Sequence, residues 1–393
     1  MTPAARVQAA IEVLDRVIEA ARSEGAPADR IIADWARSNR YAGSKDRRAV
    51  RELVYGAVRV CSEVPASGRA AMLRLADGDA ALRDCFDGSQ YGPALLAQHE
   101  PVAAAGAVPE WLAEALTASE LASAEQAALM GRAPLDVRVN TLKADRATIA
   151  LPEPGQALEA PQAMRFTSGT AVEQWPAYND GLIEVQDHGS QLACLAAAVQ
   201  PGETVIDLCA GAGGKTLALA AAMEGRGTLL ACDTDKRRLG NLPPRSARAG
   251  AGFVQTLLLD PGRELEVLDS WRGTADCVFV DAPCSGTGTL RRQPEGKWRL
   301  TPERLGRFAA LQDHVLDLAT GLVKPGGRLV FVTCSLLDTE GADRFAAFLV
   351  RHPEWRCDDP ALPLGTPRGG GVRLTPAHDA TDGFFIARAI LPC

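Results

Sequence analysis

Apolar positions in the first 130 residues recur at three- and four-residue intervals. Val7, Ile11, Leu14, Val17 or Ile18, and Ala21 share one face, which predicts a helix over 5–22. A second helix is predicted over 29–38, and a third over 44–59. In the third, Ser44 is a candidate N-cap and Val50, Leu53, Val54 and Val58 form the apolar stripe. Ala/Leu-rich helical stretches continue to about 130 with no convincing strand, so 1–130 reads as an all-helical domain. After Pro134 the period changes. Val137, Val139 and Thr141 alternate, which predicts a strand opening a small α/β subdomain, 131–185, broken by Pro and Gly. Helix is predicted again from about 185 to Val199. From 203 onward strand and helix alternate, with strands predicted at 203–208, 228–232, 254–259, 276–280, 328–332 and 384–387. That rhythm is the mark of a doubly wound, mostly parallel sheet, here spanning 186–393.

Composition narrows the class. The chain has 393 residues, enough for two or three domains; 47% are hydrophobic and 23% charged, as in a soluble globular protein. No apolar run approaches the length of a membrane span, and the first residues lead into an amphipathic helix instead of a signal-peptide core. The ten cysteines are scattered with no Cys-x-x-Cys pair, which argues against a zinc ribbon or dithiol motif. No metal is expected, the expected compartment is a reducing cytoplasm, and nothing demands more than a monomer. The net charge of −7 disfavours a nucleic-acid partner only weakly, because binding needs just a local basic face. Two such faces stand out. One is the Lys45–Arg51 run with Arg47 and Arg48, which reads better as a solvated helix face than as an RNA phosphate contact. The other follows 290 and carries six basic residues against two acidic ones over 291–307, including Arg291, Arg292, Lys297 and Arg299. Trp298 within it reads better as a packed side chain than as a base-stacking one.

The glycine-rich stretch after the first strand of the alternating region is Asp207-Leu-Cys209-Ala210-Gly211-Ala212-Gly213-Gly214-Lys215-Thr216. A phosphate-binding loop fails because Cys209 holds the place of its first glycine. A dinucleotide fingerprint fails because Thr216 holds the place of its third. A nucleoside cofactor without pyrophosphate remains. It requires an acid at the end of the second strand for the ribose hydroxyls, and Asp233 is there. It also requires a polar residue after the third strand for the adenine, and Asp260 is there. S-adenosylmethionine meets this description.

Two cysteines follow predicted strands, in Asp281-Ala-Pro-Cys284-Ser-Gly-Thr-Gly and in Thr333-Cys334-Ser335. The C-terminal edge of a parallel sheet is where ligands bind. These stretches, the glycine loop, Thr381-Asp-Gly-Phe-Phe385, Arg138-Val-Asn140-Thr-Leu-Lys143 and Gln186-Asp187…Ser190-Gln191-Leu192 together resemble the Sun/NOL1/NOP2 family of RNA cytosine-5 methyltransferases. The segment 44–59 is similar to the NusB-like helical domain of that family's bacterial 16S ribosomal RNA branch. The resemblance implies a Rossmann-like class I methyltransferase sheet, mostly parallel with an antiparallel last strand, behind an all-helical NusB-like RNA-binding domain. It implies methylation of a cytosine at C5, with ribosomal RNA as substrate and transfer RNA left open. It assigns Cys334 as the nucleophile that adds to C6, Cys284 as the residue assisting product release, and Asp281 as the group that polarises the base. Lys215 is a further candidate for stabilising charge, and residues 209–215 with Asp233, Asp260 and Asp281 are the candidates for holding S-adenosylmethionine. The chain departs from the family pattern at Gly211-Ala212, where Ala-Pro is usual, and at Pro243-Pro244, inside an expected helix. A non-catalytic RNA-binding protein on the same scaffold and a nucleotide hydrolase are the competing classes.

Overall fold

The computed structural model describes residues 1–23 and 25–393. Their contacts divide the chain into two compact units: 1–131 together with 289–301, and 132–288 together with 302–393. The segment expected as a separate subdomain, 131–185, therefore lies almost wholly within the second unit.

The first unit is helical. Its main helices are Pro3–Arg22, Ala28–Ser38, Ser44–Val60, Gly68–Leu75 and Glu110–Ala118. The first begins where Thr2 accepts the Ala5 amide and Pro3 occupies a position that needs no donor. Its stripe of Val7, Ile11, Leu14, Val17 and Ile18 is buried, as the spacing predicts. Ser44 does not cap the third helix. It is the first helical residue, and the Asp46 carboxylate instead accepts the Gly43 amide at 3.3 Å. Asp46 is also paired with Arg6 at 2.8 Å. Arg47 and Arg48 are exposed on this helix.

Much of the basic run after 290 is not a free surface. Residues 294–299 wind into a short 3-10 turn that belongs to the helical unit, and Trp298 packs in its core. Lys297 has no exposed surface. Its ammonium donates to the Ala107 carbonyl at 2.7 Å and lies 3.4 Å from the Arg59 carbonyl and the Met130 sulfur. Arg299 donates to the carbonyls of Gly25 and Ala26, and Arg291 is buried. The expectation that Lys297 and Arg291 face RNA is corrected here, because both are buried. The Lys297 ammonium and the Arg299 guanidinium serve carbonyl groups of the helical unit.

Burial pushes the Lys297 amine down to about 7. Its folded value lies below its unfolded one, so between about pH 7 and 10 the unfolded chain binds the extra proton and stability rises with pH. The protection factors of amides in the 44–60 helix, exchange rates normalised to the intrinsic base-catalysed rate at each pH, are expected to rise across that window in the wild type. Lys297→Met should remove the trend.

The second unit contains two sheets. The smaller is antiparallel, in the order β2-β3-β1-β4, from β1 (Leu135–Val139), β2 (Gln156–Ala157), β3 (Ala163–Phe166) and β4 (Ile183–Val185). The alternating run at 137–141 thus ends at Val139, where Asn140 turns away and donates to the carbonyls of Gly181 and Ala249, both at 2.8 Å. Arg138 donates to Gln186, and Gln191 to the Val137 carbonyl, so the polar residues of these two stretches fasten β1 to the next helix. That helix runs His188–Leu195, capped by Asp187, and stops short of the expected Val199.

The larger sheet uses β5 (Thr204–Asp207), β6 (Thr228–Asp233), β7 (Val254–Leu258), β8 (Ala275–Asp281), β9 (Val323–Thr333), β10 (Arg356–Asp358), β11 (Thr366–Arg368), β12 (Gly371–Leu374) and β13 (Phe384–Ile390). Its order is β11-β12-β13-β9-β8-β5-β6-β7, with β10 also against β13. Strands β5 to β9 pair in parallel, and β13 runs antiparallel to β9. The central strands β8 and β9 are apolar on both faces because helices cover both sides. Pro243 and Pro244 do not break a long helix. Lys236–Leu239 ends first, and the prolines fall in the opening turn of Leu242–Ala249, where a missing amide proton has no helical partner to lose.

Candidate active site

Every strand-end residue singled out above lies at the C-terminal edge of the parallel strands. After β5 the chain makes the glycine turn, which places Gly211 at φ +56° and Gly213 at φ +85°. Gly213 caps the helix Gly214–Ala222 in the left-handed region. A side chain there would meet Leu242 at 2.1 Å and would cost about 1–2 kcal/mol in backbone strain alone. Asp233 ends β6 and reaches back to this turn. Its carboxylate accepts the Gly211 amide and the Asp235 amide, each at 2.7 Å. Two lone-pair positions remain on it for a ribose diol. A Cβ built on Gly214 meets nothing within 4 Å, so the first turn of the helix is open where a nucleoside cofactor would approach. The residues present therefore fit S-adenosylmethionine. Asp260 follows β7 on the same edge and is exposed, 3.9 Å from Arg263.

Asp207 had drawn notice only as the start of the loop. It is buried, accepts the Thr216 hydroxyl at 2.6 Å, and leaves its other oxygen without a partner among the described residues. Burial, with the nearby Asp281 charge, pushes its carboxyl up to about 7 against the opposing Thr216 hydrogen bond. The folded value exceeds the unfolded one, so stability contributed below about pH 4 is lost as pH rises to about 7. Asp207→Asn is expected to flatten that part of the stability–pH curve, as read by denaturant unfolding at fixed ionic strength.

Asp281 ends β8 opposite Val332 of β9. Its carboxylate accepts the Lys215 ammonium at 2.7 Å, and Lys215 also lies over the Phe384 ring, 5.5 Å from its centroid. Burial opposes the charge on Lys215, but Asp281 outweighs it and holds the amine above its ordinary value. Lys215 is thus a fixed cation between the glycine loop and the cysteines.

The register of β8 and β9 brings the two cysteines together. Cys284 and Cys334 are 50 positions apart in the chain, and their sulfurs are 3.3 Å apart. Both are partly exposed, and neither is in a disulfide. The hydrogen bond to Cys334, then burial, keeps the Cys284 thiol well above its ordinary value. The Cys284 loop closes with the Gly288 amide on the Cys334 carbonyl at 3.0 Å. The Gly383 amide then reaches the Gly288 carbonyl at 2.8 Å. A side chain on Gly288 would strike the Gly383 backbone at 2.1 Å, so the Asp382-Gly383 turn works by backbone approach to the cysteine loop. A buried acid, Glu340, also touches both loops through Ser285 and Ser335. No sequence signal marked it, since it is a single acid six positions past Cys334.

Known proteins resemble this chain in sequence and in fold. A family model described as 16S rRNA methyltransferase RsmB/F matches residues 194–390. A probable ribosomal RNA small subunit methyltransferase B of Synechocystis is 33% identical over 71% of this chain and 66% of its own. A ribosomal RNA small subunit methyltransferase B of Xylella fastidiosa is 35% identical over 74% of this chain and 70% of its own. The chain thus spans about two thirds of the length of these curated relatives. The crystal structure of PH0851 superposes with a TM-score of 0.76 at 24% identity, covering 99% of both chains, which shows the shared fold. By its sequence over the catalytic half and by these relatives, the chain belongs to the RsmB/F family of 16S rRNA methyltransferases.

Proposed function

We propose that this chain methylates C5 of a cytosine in 16S ribosomal RNA, using S-adenosylmethionine. The observation that carries the reading is the pair of thiols 3.3 Å apart beside a carboxylate on the C-terminal edge of the sheet. C5 of cytosine is a poor nucleophile while the ring stays conjugated. Addition of the Cys334 thiolate at C6 removes that conjugation, and Asp281 assists by bonding the N3 and N4 edge and sharing with N3 the proton of the Lys215 ammonium it holds. The bound S-adenosylmethionine supplies the methyl group that C5 takes up. The C5 proton then leaves, the C6–sulfur bond breaks, and Cys334 departs as thiolate.

The contact between the two sulfurs suits these roles. Cys284 holds its proton mainly because Cys334 lies against it. Once the Cys334 sulfur is bonded to carbon, that cause is gone, and Cys284 is free to take part in removing the C5 proton. The base must be unpaired or extruded, since both its faces and its C5–C6 edge are used. Asp233 and the turn 209–215 hold the cofactor in this reading, with Asp260 at its adenine end. Arg47, Arg48 and Arg292 are the proposed phosphate contacts. The protein acts as a monomer in the cytoplasm. No helix among the described residues is long and apolar enough to cross a membrane.

The test is transfer of labelled methyl from S-adenosylmethionine to RNA from cells lacking the gene. Small ribosomal subunits, free 16S RNA and transfer RNA are compared, and nucleosides are resolved after digestion. Label in 5-methylcytidine of 16S RNA is expected. Label confined to transfer RNA would move the substrate assignment. Absence of label from all three would remove the enzymatic reading.

A further inference from the structure

We propose that Glu340 is the positioning residue that holds Cys284 against Cys334; this rests on the reading of the two thiols as partners in one reaction. Glu340 ends the short turn Asp338–Glu340 and has no exposed surface. Its carboxylate accepts the Ser285 amide at 2.8 Å, the Ser285 hydroxyl, the Ser335 hydroxyl at 2.7 Å and the Gln312 amide group at 3.3 Å. All four donors are neutral. Ser285 directly follows Cys284, and Ser335 directly follows Cys334. A single carboxylate therefore joins the two cysteine-bearing loops one residue beyond each thiol.

The strands do not set this spacing by themselves. The β8–β9 ladder ends at Asp281 and Val332, followed by one more bond from the Ala282 amide to the Val332 carbonyl at 2.8 Å. The next backbone tie is the one from Gly288 to Cys334. Between these two ties Cys284 rides on a loop whose inner fastening is Glu340. The fastening is reinforced around it. Gln312 also holds the Pro283 carbonyl at 2.9 Å, and Thr287 meets Ser335 at 3.0 Å and the Leu336 amide at 2.9 Å. A buried carboxylate without a cationic partner is a costly way to stabilise a fold, and apolar packing does that work more cheaply. What the carboxylate supplies is several strong acceptors at one point, reaching both loops in fixed geometry.

Glu340→Gln tests this, with Ser335→Ala as a second variant and Glu340→Ala as the severe one. The amide of Gln keeps the size but removes the charge, and at the Oε2 position it donates to the Ser285 and Ser335 hydroxyls instead of accepting from them, so the charge-assisted bonds to both loops are weakened. The first readout needs neither RNA nor cofactor. Diamide is added to the reduced protein, and the Cys284–Cys334 disulfide is followed by peptide mass. The two thiols give up two electrons and two protons, and diamide is reduced to the hydrazine. The second readout is S-adenosylmethionine affinity by calorimetry, and the third is kcat and KM for methyl transfer to 16S RNA.

Glu340→Gln is expected to bind S-adenosylmethionine within about twofold of wild type, couple its thiols about tenfold more slowly, and lose about tenfold or more in kcat with little change in KM. Wild-type coupling in Glu340→Gln would overturn the proposal. So would slowed coupling with unchanged kcat, because the spacing would then not serve the reaction. Loss of cofactor affinity along with both would also overturn it, by making the role a general structural one. If wild-type protein methylates no RNA, the functional reading fails, and the coupling rates still decide whether Glu340 sets the thiol spacing. Should Glu340→Ala fail to fold, Glu340→Gln and Ser335→Ala carry the test.

Discussion

Cys284→Ala is expected to accumulate in cells as a covalent complex with RNA, seen after denaturation as a slow-migrating band that ribonuclease collapses. The double variant Cys284→Ala/Cys334→Ala should lack the band, and Cys334→Ala alone should lose methyl transfer by on the order of 10⁴-fold or more, as loss of a nucleophile does elsewhere. The basis is the 3.3 Å contact between sulfurs on adjacent strand ends. With one base set against the pair, only one sulfur can bond C6, and the other is left beside the C5–C6 edge. Alanine at 284 leaves addition and methylation intact but removes the group that helps the adduct collapse. If Cys284→Ala gives no band while its RNA is still methylated at the wild-type rate, the division of labour between the thiols is wrong. If Cys334→Ala gives the band, the two roles are exchanged.

Asp281→Asn is expected to lower kcat by about 10²–10⁴-fold, the range for loss of a positioned acid–base group. The amide keeps the volume and can still accept from Lys215, but it cannot relay the Lys215 proton to N3. Lys215 also loses the charge that keeps its proton in place against burial. The deficit is therefore expected to deepen as pH rises, since the Lys215 ammonium is then no longer held by a carboxylate. Single-turnover methyl transfer between pH 6 and 9, with cofactor affinity measured alongside, reads this directly. A rate within threefold of wild type across the range would remove Asp281 from the chemistry.

Much of the catalytic unit was legible because its signals are local. Each central strand is a short apolar run ending in a polar or small residue, so 203–208, 228–232, 254–259 and 276–280 fell within about a residue of β5 to β8. The glycines of the cofactor turn are needed for their backbone angles, and Asp233 had to follow a strand to reach them. The long strand β9 was read only at its end, 328–332, because Pro325-Gly-Gly looks like a break when a strand is judged residue by residue. The 188–195 helix was read too long because nothing in an alanine-rich run shows where packing will stop it.

The sequence by itself determined the order of most elements, the sheet edge at which the candidate site lies, and the residue types gathered there, because these depend on periods of two and 3.6 and on motifs a few residues long. Only the tertiary structure decided which distant groups meet. The 3.3 Å approach of Cys284 and Cys334 is a product of β8–β9 register, and Glu340 becomes significant only when Ser285 and Ser335 converge on it. The same holds in the opposite sense for Lys297 and Arg299. Their sequence looks like a basic surface, yet residues 289–301 pack into the helical unit, and carbonyl groups take up their charge. Charge along a chain is a local property, whereas burial is settled by what the whole fold brings alongside.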